Sequence, residues 1–566
     1  MSAQENYQRW IKSPKVDSDT KILLRKMDRE EIDESFFKDI EFGTAGMRGI
    51  LGPGTNRMNN FTVRKSTIGF GLYLLEKFPS APQMGIVISH DNRHMSREFT
   101  LLSAKIMNQM GINVYIFDAL RPTPELSYAV RYLKACGGIM ITASHNPKEY
   151  NGYKVYDETG CQLIPEKISR LVDIIVSLPN ELDAKIPANK KQGKTIVLDN
   201  AIDDAYVKEV ESIQLNSQLD KSNFKIVFTP QHGTSYINAM RVFSDCGYRV
   251  TTVKAQCIPD PDFSATLSPN PEEPKAYIEP IKLAKRIGAN LILMTDPDGD
   301  RVGVGYLSSK GTYETFTGNQ SAALLVDYLL SQRKEQKILS SNAVMYDTIV
   351  SSSLARDIAK SYGIKCESFL TGFKFIGSQI DYYEHHNGPK FEFGYEESYG
   401  CLIAPFARDK DGIQAILMYS EMALFHFLNG EYLDIAYDNL QKKYGYHNDI
   451  CYSIVFKGSE GLSEMKAIMK KLHTNPPSFV GGDKVVEVRD YEKQTISSVT
   501  GQTRPILLPK SDVVILQLED GSTIAVRPSG TEPKCKFYMG AMGKNSHDVE
   551  SKPLQLYEAF KKELGL

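Results

Sequence analysis

Short apolar runs alternate with amphipathic stretches from the start of the chain to about residue 430. Residues 84–90 and 114–117 have the length and apolar composition of buried strands. Between them, apolar residues recur at helical spacing from Phe99 to Met110, with Ser96 as the candidate N-cap. This alternation of strand and helix is typical of layered α/β units.

The same order of elements returns after a lysine-rich stretch at 187–194, which we interpret as a linker. A second unit opens near residue 200 and a third near Gly318. The order of elements recurs, although the residues themselves do not repeat. We predict strands at 138–141, 224–228, 291–294, 343–346 and 390–393, and helices at 278–287, 321–330 and 352–359.

The last part of the chain has a different pattern. Residues 513–518 and 522–526 flank Glu519-Asp520-Gly521, a hairpin signal in which Asp-Gly supplies positive φ angles. An antiparallel sheet packed by a C-terminal helix at 548–563 is therefore expected. The predicted fold class is α/β, with three similar α/β domains containing mixed sheets and then a C-terminal α+β domain. We place these domains at 1–200, 201–312, 313–445 and 446–566.

Composition narrows the classes of partner and location. A net charge of −2 over 566 residues gives no electrostatic case for binding nucleic acid or a membrane surface. Residues 1–9 are polar and do not indicate a secretory signal, and no apolar run is long enough for a membrane span. The eight cysteines are dispersed without zinc-site spacing. We therefore expect reduced thiols in a cytoplasmic protein.

Three carboxylates follow the predicted strand at 291–294. Asp296, Asp298 and Asp300 alternate along the chain, so an extended segment would turn their side chains to one side, where oxygen ligands suit Mg²⁺. An EF-hand calcium loop is excluded, because its sixth and twelfth positions are Arg301 and Leu307 here. The alternative is an acidic turn that only caps a buried strand.

Ser144 lies in Thr-Ala-Ser-His-Asn-Pro, directly after the predicted strand at 138–141. A serine in that position is a candidate nucleophile, although it could also simply shape a turn. It is not in a G-x-S-x-G elbow, and no Ser-His-Asp triad can be identified from spacing. A metal loop elsewhere in the chain would allow Ser144 to carry a phosphoryl group.

Two cations accompany this serine in the sequence. Lys154 lies ten residues after Ser144 and could relay a proton or contact a phosphate; a solvated lysine is the alternative. Arg48 belongs to a glycine-rich segment at 42–49 whose backbone could approach a phosphate, unless the segment is only a flexible loop.

Two further segments carry groups that suit a phosphosugar. The turn predicted at 394–400 offers carboxylates that could bind sugar hydroxyls, although it could be a plain surface turn, and the segment at 408–412 adds a cation. Residues 527–531 combine a guanidinium, two hydroxyls and a glycine between two strands, a set that binds phosphate oxygens.

Four motifs in this order resemble the α-D-phosphohexomutase superfamily, and within it the bacterial-type phosphoglucomutases close to the phosphopentomutase-like branch. They are Thr-Ala-Ser-His-Asn-Pro with Asn-Gly-Tyr-Lys, Asp-Pro-Asp-Gly-Asp-Arg, Gly-Tyr-Glu-Glu-Ser, and Arg-Pro-Ser-Gly-Thr-Glu-Pro. The resemblance implies an isomerase-class intramolecular phosphotransferase with a central cleft among four domains. It would interconvert glucose 1-phosphate and glucose 6-phosphate through a phosphoserine and bound glucose 1,6-bisphosphate.

The resemblance also implies a role for each motif residue. Ser144 would be phosphorylated, and its phosphoryl oxygen would share Mg²⁺ with Asp296, Asp298 and Asp300. Catalytic roles fall to Ser144, His145, Lys154 and Arg48, with Lys154 as the proton-transfer candidate. The implied substrate-binding residues are Arg301, Lys374, Glu396, Ser398, Lys410, Arg527, Ser529, Gly530 and Thr531.

Several alternatives share this chemistry or dispense with it. The tyrosine between the glycine and the glutamate pair of Gly-Tyr-Glu-Glu-Ser departs from the animal phosphoglucomutases, so a phosphopentomutase or phosphomannomutase stays open. A sugar bisphosphate synthase and a non-catalytic phosphosugar-binding protein are further alternatives, whereas an ATP-dependent kinase lacks its G-x-x-x-x-G-K-[ST] loop. The expected partner is a phosphosugar, with glucose 1,6-bisphosphate as activator, and the protein is expected to be a monomer or homodimer.

Overall fold

The computed structural model describes residues 2–43, 46–187, 189, 191–456, 458–528 and 534–566. These residues form two compact units. The first comprises Met1–Thr317 with Phe373–Gly430, and the second Gly318–Gly372 with Glu431–Leu566. Among the described helices, none is both long and apolar enough to cross a bilayer.

Strands and helices follow one another along the whole described chain. The strands are β1 (Phe42–Gly43), β2 (Gly46–Ile50), β3 (Ile86–His90), β4 (Val114–Phe117), β5 (Gly137–Ile141), β6 (Tyr150–Asp157), β7 (Thr195–Leu198), β8 (Ile226–Thr229), β9 (Val250–Thr252), β10 (Leu291–Thr295), β11 (Val302–Leu307), β12 (Tyr313–Thr315), β13 (Ala343–Thr348), β14 (Lys365–Phe369), β15 (Lys390–Glu396), β16 (Gly400–Leu402), β17 (Tyr446–Val455), β18 (Phe479–Val480), β19 (Asp483–Asp490), β20 (Thr495–Ser498), β21 (Thr503–Pro505), β22 (Val514–Leu518), β23 (Thr523–Pro528) and β24 (Lys534–Gly543). The helices are α1 (Ala3–Lys12), α2 (Ser18–Lys26), α3 (Arg29–Phe36), α4 (Asn60–Lys77), α5 (Ala81–Met84), α6 (Ser96–Gln109), α7 (Thr123–Tyr132), α8 (Pro165–Ser177), α9 (Asn200–Glu211), α10 (Tyr236–Asp245), α11 (Ile278–Ile287), α12 (Gly318–Glu335), α13 (Ser353–Ser361), α14 (Lys374–His385), α15 (Gly412–Leu428), α16 (Leu433–Tyr444), α17 (Gly458–Thr474), α18 (Ser546–Glu550) and α19 (Lys552–Leu564).

The first unit contains a mixed seven-stranded sheet in the order β1-β2-β6-β5-β3-β4-β7. Its inner strands β5, β3 and β4 run parallel, and β6 returns antiparallel beside β5. Every residue of β3 and β5 is buried, as expected for parallel strands that are covered on both faces. The chain between β5 and β6 carries Ser144, so this sheet positions the predicted nucleophile.

A second sheet of the same unit has the order β12-β11-β10-β8-β9. Strand β10 is parallel to β8 and antiparallel to β11, and Thr295 pairs with Val302 where β10 ends. Residues 296–301, with the three aspartates, therefore form the connection between two adjacent strands. This connection lies at the carboxyl end of a parallel strand, a common position for ligand sites in α/β folds.

The N-terminal helices of the first unit pack around Trp10. Its ring is fully buried with Leu24, Phe36 and Leu182, and its Nε1 donates to Glu181 Oε1 at 2.7 Å. Residues of α1, α2, α3 and the chain after α8 form this cluster. It contains no described residue of the four sequence motifs.

In the second unit, β13 and β14 pair in parallel, and an antiparallel sheet has the order β17-β24-β23-β22-β19-β20-β21, with β18 on β19. Helices α17 and α19 cover one face of the sheet, because Leu472 and Phe560 share a core with Phe537 of β24. The expected C-terminal antiparallel sheet is thus present.

Several local predictions differ from the structure, three of them at the ends of helices and at a hairpin. Ser96 is the first residue of α6 rather than its N-cap; the cap position is Met95, with φ of 66° and no side-chain hydrogen bond. At the predicted 519–521 hairpin only Gly521 has a positive φ, whereas Asp520 uses its carboxylate to accept from Ser522 N at 2.9 Å. The single helix expected at 548–563 is two helices. The first ends at Glu550, and the second begins at Lys552 with Pro553 in its first turn, where proline is favourable.

His473, in the last turn of α17, forms ion pairs with two aspartates in the second unit. Its Nδ1 lies 2.9 Å from Asp490 Oδ1 and its Nε2 lies 2.8 Å from Asp512 Oδ1, with the side chain 14% exposed. Burial opposes the protonated ring, but the hydrogen bonds to Asp512 and Asp490 outweigh it and raise the pKa of His473 above its ordinary value.

We expect His473→Gln to lower the free energy of unfolding by about 1 kcal/mol near pH 6, where the imidazolium is present. Because the folded-state pKa is raised, this contribution is complete below the unfolded pKa and disappears as pH rises through the folded one. Thermal unfolding at pH 6 and pH 9 measures the effect, with His547→Gln, an exposed histidine in α18, as the control. An equal loss at both pH values would contradict this assignment.

Candidate active site

Ser144 lies in a sharply bent loop between β5 and β6. Its φ is 52°, in the left-handed region, and the residue is 3% exposed. Its backbone N–H donates to Thr142 Oγ1 at 2.8 Å, which holds the bend from within the loop. The serine hydroxyl is therefore presented from a backbone conformation that most residues avoid.

The three aspartates lie on a turn, not on the extended segment that the sequence predicted. Gly299 has φ of 70° and donates its N–H to Asp296 O at 3.0 Å, which closes the turn. One carboxylate oxygen from each of Asp296, Asp298 and Asp300 nevertheless lies within 4.8 Å of the others. The predicted convergence is present, but the turn produces it instead of the alternation of a strand.

The serine loop and the aspartate turn meet. Ser144 Oγ donates to Asp296 Oδ2 at 2.7 Å, and His145 Nδ1 lies 3.1 Å from the same Oγ. Two segments that are far apart in sequence thus bring a serine hydroxyl, an imidazole and a carboxylate into direct contact.

Three backbone donors anchor the aspartate turn from three other segments. Consecutive carbonyl oxygens of the turn accept from Thr234 N (Pro297 O, 2.9 Å), Thr123 N (Asp298 O, 2.9 Å) and Gly412 N (Gly299 O, 3.0 Å). A Cβ at position 412 would lie 2.5 Å from Gly299 O, so only glycine allows this approach. The turn is therefore anchored by hydrogen bonds to three separate segments of the first unit.

Two ammonium groups flank the aspartates. Lys154 Nζ lies 2.8 Å from Asp298 Oδ2 and 3.7 Å from Asp300 Oδ2, and Lys410 Nζ lies 3.2 Å from Asp300 Oδ2. Burial alone would lower the pKa of each lysine, but the carboxylates outweigh it and the pKa of both lysines is raised. Both groups are held as cations.

The three carboxylates repel one another, and their pKa values are shifted in different directions. Burial and the charges of Asp298 and Asp300 raise the pKa of Asp296 well above its ordinary value. Burial also opposes ionisation of Asp298, yet Lys154 outweighs it and lowers the pKa of Asp298. Burial and Asp298 raise the pKa of Asp300. The site has more negative charge than its lysines neutralise, as expected where a cation binds.

Unpaired oxygens support the same conclusion. Asp298 Oδ1 and Asp300 Oδ1 are buried and accept no hydrogen bond from the described residues. A buried carboxylate oxygen without a donor is costly, and a divalent cation would satisfy both atoms. The residues at this turn therefore fit a hard metal ion.

Other predicted residues surround this centre in the first unit. Arg48 Nη1 donates to Asn146 Oδ1 at 2.8 Å in the serine loop. Arg301 Nη1 donates to Glu272 Oε1 at 2.7 Å, and its Nε lies 3.9 Å from Asp300 Oδ1. These guanidinium groups border the serine loop and the aspartate turn respectively.

The sugar-type residues occupy a strand, a turn and a helix start. Glu396 ends β15, because the strand predicted at 390–393 continues through it, and its Oε2 lies 3.8 Å from Lys410 Nζ. Ser398 lies in the turn before β16. Lys374 begins α14 and is 5% exposed, with Nζ 5.4 Å from the ring centre of Phe375.

The phosphate-type segment belongs to the second unit. Arg527 lies near the end of β23, and its Nη1 donates to Tyr538 Oη at 3.5 Å. Ser529, Gly530 and Thr531 lie outside the described residues.

Sequence reasoning missed two residues that support Ser144. Asp91 Oδ2 accepts from Thr142 Oγ1 at 2.7 Å, and Arg93 Nη2 donates to Ser144 O at 2.6 Å. A signal was present, because Asp91 directly follows β3, as Asp296 follows β10, and Arg93 is the third residue after the strand. Charged residues at the carboxyl end of a buried parallel strand are candidates for a site.

Comparisons with known proteins give a family. Models of the phosphoglucomutase/phosphomannomutase α/β/α domains I, II and III match residues 39–181, 204–307 and 317–444. A phosphoglucomutase from Staphylococcus epidermidis is 38% identical over 516 residues, which cover 90% of this chain and 92% of that protein. One from Staphylococcus aureus is 36% identical over 546 residues, covering 96% and 97%.

A solved structure has the same fold. The open form of pp63/parafusin, a phosphoglucomutase from Paramecium, has a TM-score of 0.67 and 19% identity, covering 94% of this chain and 95% of that one. Three α/β/α domains and a β-rich C-terminal part confirm the predicted fold class. The chain belongs to the phosphoglucomutase/phosphomannomutase family of the α-D-phosphohexomutase superfamily.

Proposed function

We propose that the protein is a phosphoglucomutase that interconverts glucose 1-phosphate and glucose 6-phosphate through phosphorylated Ser144. The observation that carries this proposal is the 2.7 Å contact of Ser144 Oγ with Asp296 Oδ2 in a buried cluster of three carboxylates. It is supported by relatives named phosphoglucomutase that are 36–38% identical over most of the chain. The assignment makes the enzyme an intramolecular phosphotransferase of the isomerase class.

Asp296, Asp298 and Asp300 would hold Mg²⁺, together with a phosphoryl oxygen on Ser144. When bound, the ion would neutralise phosphoryl charge as it moves between two oxygens. This ligand set depends on the observation that Asp298 Oδ1 and Asp300 Oδ1 are buried without a hydrogen-bond donor among the described residues.

The first transfer breaks the Ser144 Oγ–P bond and forms a bond from phosphorus to the C6 oxygen of glucose 1-phosphate. The C6 hydroxyl loses one proton and Ser144 Oγ gains one, so that serine and glucose 1,6-bisphosphate result. His145, whose Nδ1 lies 3.1 Å from Oγ, is placed to supply the proton that Oγ gains. Lys154 is our candidate for the proton lost by the sugar.

The bisphosphate then reverses its orientation in the site. Its C1 phosphate is transferred to Ser144 by the reverse of the same step, and glucose 6-phosphate is released. Added glucose 1,6-bisphosphate would load an unphosphorylated serine and thus act as an activator. We assign sugar hydroxyls to Glu396 and Ser398 and the reacting phosphate to Arg48.

The remaining groups would hold the rest of the substrate. We assign the non-transferred phosphate to a loop in the domain that we place at 446–566, and the reacting end of the substrate to three cations around the site. The loop residues are Arg527, Ser529, Gly530 and Thr531, and the cations are Arg301, Lys374 and Lys410. Domains at 1–200, 201–312 and 313–445 would supply the serine, metal and sugar loops. A cytoplasmic location and a monomer or homodimer fit this metabolic role.

Ser144→Ala is expected to lower mutase turnover by at least about 10⁴-fold, because it removes the hydroxyl that carries the phosphoryl group in the proposed mechanism. A coupled assay for glucose 6-phosphate measures turnover, and peptide mass spectrometry locates the phosphate. The matched control is Ser169→Ala, an exposed serine of α8, which should keep wild-type turnover. Near-full turnover of Ser144→Ala would reject the mechanism.

Mg²⁺ should raise the melting temperature of the wild-type protein, because it binds the folded aspartate turn and not the unfolded chain. Asp300→Asn should weaken this shift, whereas Asp262→Asn, a half-exposed carboxylate outside the turn, should leave it unchanged. Differential scanning calorimetry with and without Mg²⁺ gives the comparison, and chelation should abolish turnover reversibly. An equal shift in all three proteins would argue against the assigned ligands.

Glucose 1-phosphate should be the best substrate among glucose, mannose and ribose 1-phosphates. A pentose shortens the separation between its two phosphorylation positions, so a phosphate anchor whose distance from Ser144 suits a hexose bisphosphate would fit a pentose bisphosphate less well. The additional Tyr395 does not argue otherwise, because its ring is 1% exposed and packs 5.9 Å from Phe393. Initial rates with added bisphosphate test this order, and a higher kcat/KM for ribose 1-phosphate would make the enzyme a phosphopentomutase.

A further inference from the structure

Arg93 binds the backbone of the serine loop at four points. Its side chain is fully buried after β3, and its two Nη atoms donate to four carbonyl oxygens. Nη2 donates to Ser144 O (2.6 Å) and Asn146 O (2.5 Å), and Nη1 donates to Pro147 O (2.7 Å) and Tyr150 O (3.1 Å). One guanidinium thus spans almost the entire connection between β5 and β6.

Asp91 ties this guanidinium to the other side of the loop. Its Oδ2 lies 3.2 Å from Arg93 Nε and also accepts from Thr142 Oγ1 at 2.7 Å. Thr142 Oγ1 in turn accepts from the N–H of Ser144 at 2.8 Å. The backbone N–H and C=O of Ser144 are therefore both held by one ion pair.

These bonds oppose a definite strain. A non-glycine residue in the left-handed region costs of order 1 kcal/mol or more, and Ser144 has φ of 52°. Charge-assisted hydrogen bonds in a buried site are strong enough to maintain such a conformation. Without Arg93, the loop would be free to relax toward ordinary φ values and carry Oγ away from Asp296.

The chain after β9, in the second sheet of the first unit, covers the guanidinium group of Arg93. The ring centre of Phe263 lies 5.1 Å from Arg93 Cζ, and Asn92 Nδ2 donates to Asp260 O at 2.7 Å. The chain that follows β9 therefore covers Arg93. Water is kept from its hydrogen bonds, so they are not exchanged for solvent.

We propose that Arg93 is the positioning residue of Ser144, the proposed phosphoryl carrier. It fixes Ser144 Oγ in the position required for phosphoryl transfer to and from the sugar, while the charge on that oxygen changes. The inference rests on the proposed function for its catalytic consequence. Arg93 donates to backbone carbonyls of the loop and acts through them on Ser144. Since an error of about 1 Å in a reacting atom costs about 100-fold in rate, a loosened loop should impair transfer far more than binding.

Arg93→Met keeps an unbranched stem and removes every donor. We expect the amides of residues 142–150 to exchange hydrogen faster, kcat to fall about 10- to 100-fold, and KM for glucose 1-phosphate to change less than about threefold. A larger share of phosphoserine should also be lost to water in each turnover, measured as inorganic phosphate released. Arg93→Lys, with one ammonium for four carbonyls, should fall between Met and the wild type.

Trp10→Phe controls for a general loss of stability, because it removes a buried hydrogen bond in the N-terminal cluster. It should lower the melting temperature without changing exchange at 142–150 or the loss of phosphate to water. If Arg93→Met does not fold, Arg93→Lys is subjected to the same measurements.

Wild-type kcat and wild-type exchange in the folded Arg93 variant would overturn the inference, as would an equal loss of phosphate in Trp10→Phe. Failure of the proposed function has a different outcome: the wild type itself would show neither phosphoserine nor turnover. The exchange comparison would still decide whether Arg93 fixes the loop.

Discussion

Mutual repulsion among three buried carboxylates is the constraint around which the first unit is organised. Two unit charges at about 4 Å repel by several kcal/mol at the effective dielectric of a protein, and Asp296, Asp298 and Asp300 form three such pairs. Left to itself, a six-residue turn would open to separate them. The turn is closed because its carbonyls are bonded to three different segments, and because Lys154 and Lys410 provide opposite charge.

The serine loop follows the reverse arrangement. There the cation Arg93 lies inside the loop, surrounded by backbone carbonyls that carry only partial charge and by the carboxylate of Asp91. Both loops leave the carboxyl ends of strands in well-packed sheets, which fixes their starting points. A functional constellation on such elements is more accurate than one on free loops, and phosphoryl transfer demands this accuracy.

Local patterns predicted the elements well wherever their signal was local. Strand β4 was predicted to the residue, and the helix at 278–287 ended as expected before Gly288, which has φ of 63°. Predictions that required knowledge of distant partners were less successful. Serine is a residue type that is favoured at N-caps, but the hydroxyl of Ser96 donates to Asp91 instead. Helical periodicity does not predict this contact.

The candidate site shows the same division. Asp296, Asp298 and Asp300 were correctly expected to converge, but the sequence suggested an extended backbone where Gly299 makes a turn. Arg93 was missed although its position after β3 made it a candidate. Its role could not be inferred, because its acceptors are main-chain carbonyls, which every residue possesses and no sequence pattern distinguishes. Side-chain partners leave a signature in composition, whereas backbone partners appear only after the chain has folded.

The remoteness of the partners also determines when the site can come into being. Ser144 and Asp296 are 152 residues apart, Thr123 and Asp298 are 175 apart, and the third anchor of the turn comes from Gly412. On the ribosome, the β5–β6 hairpin emerges long before the aspartate turn and Gly412. Because contacts of such long range are closed late, the hydroxyl is assembled into a reactive setting only after most of the chain has been synthesised. A partly synthesised polypeptide would contain Ser144 without the carboxylate that its hydroxyl contacts in the folded protein.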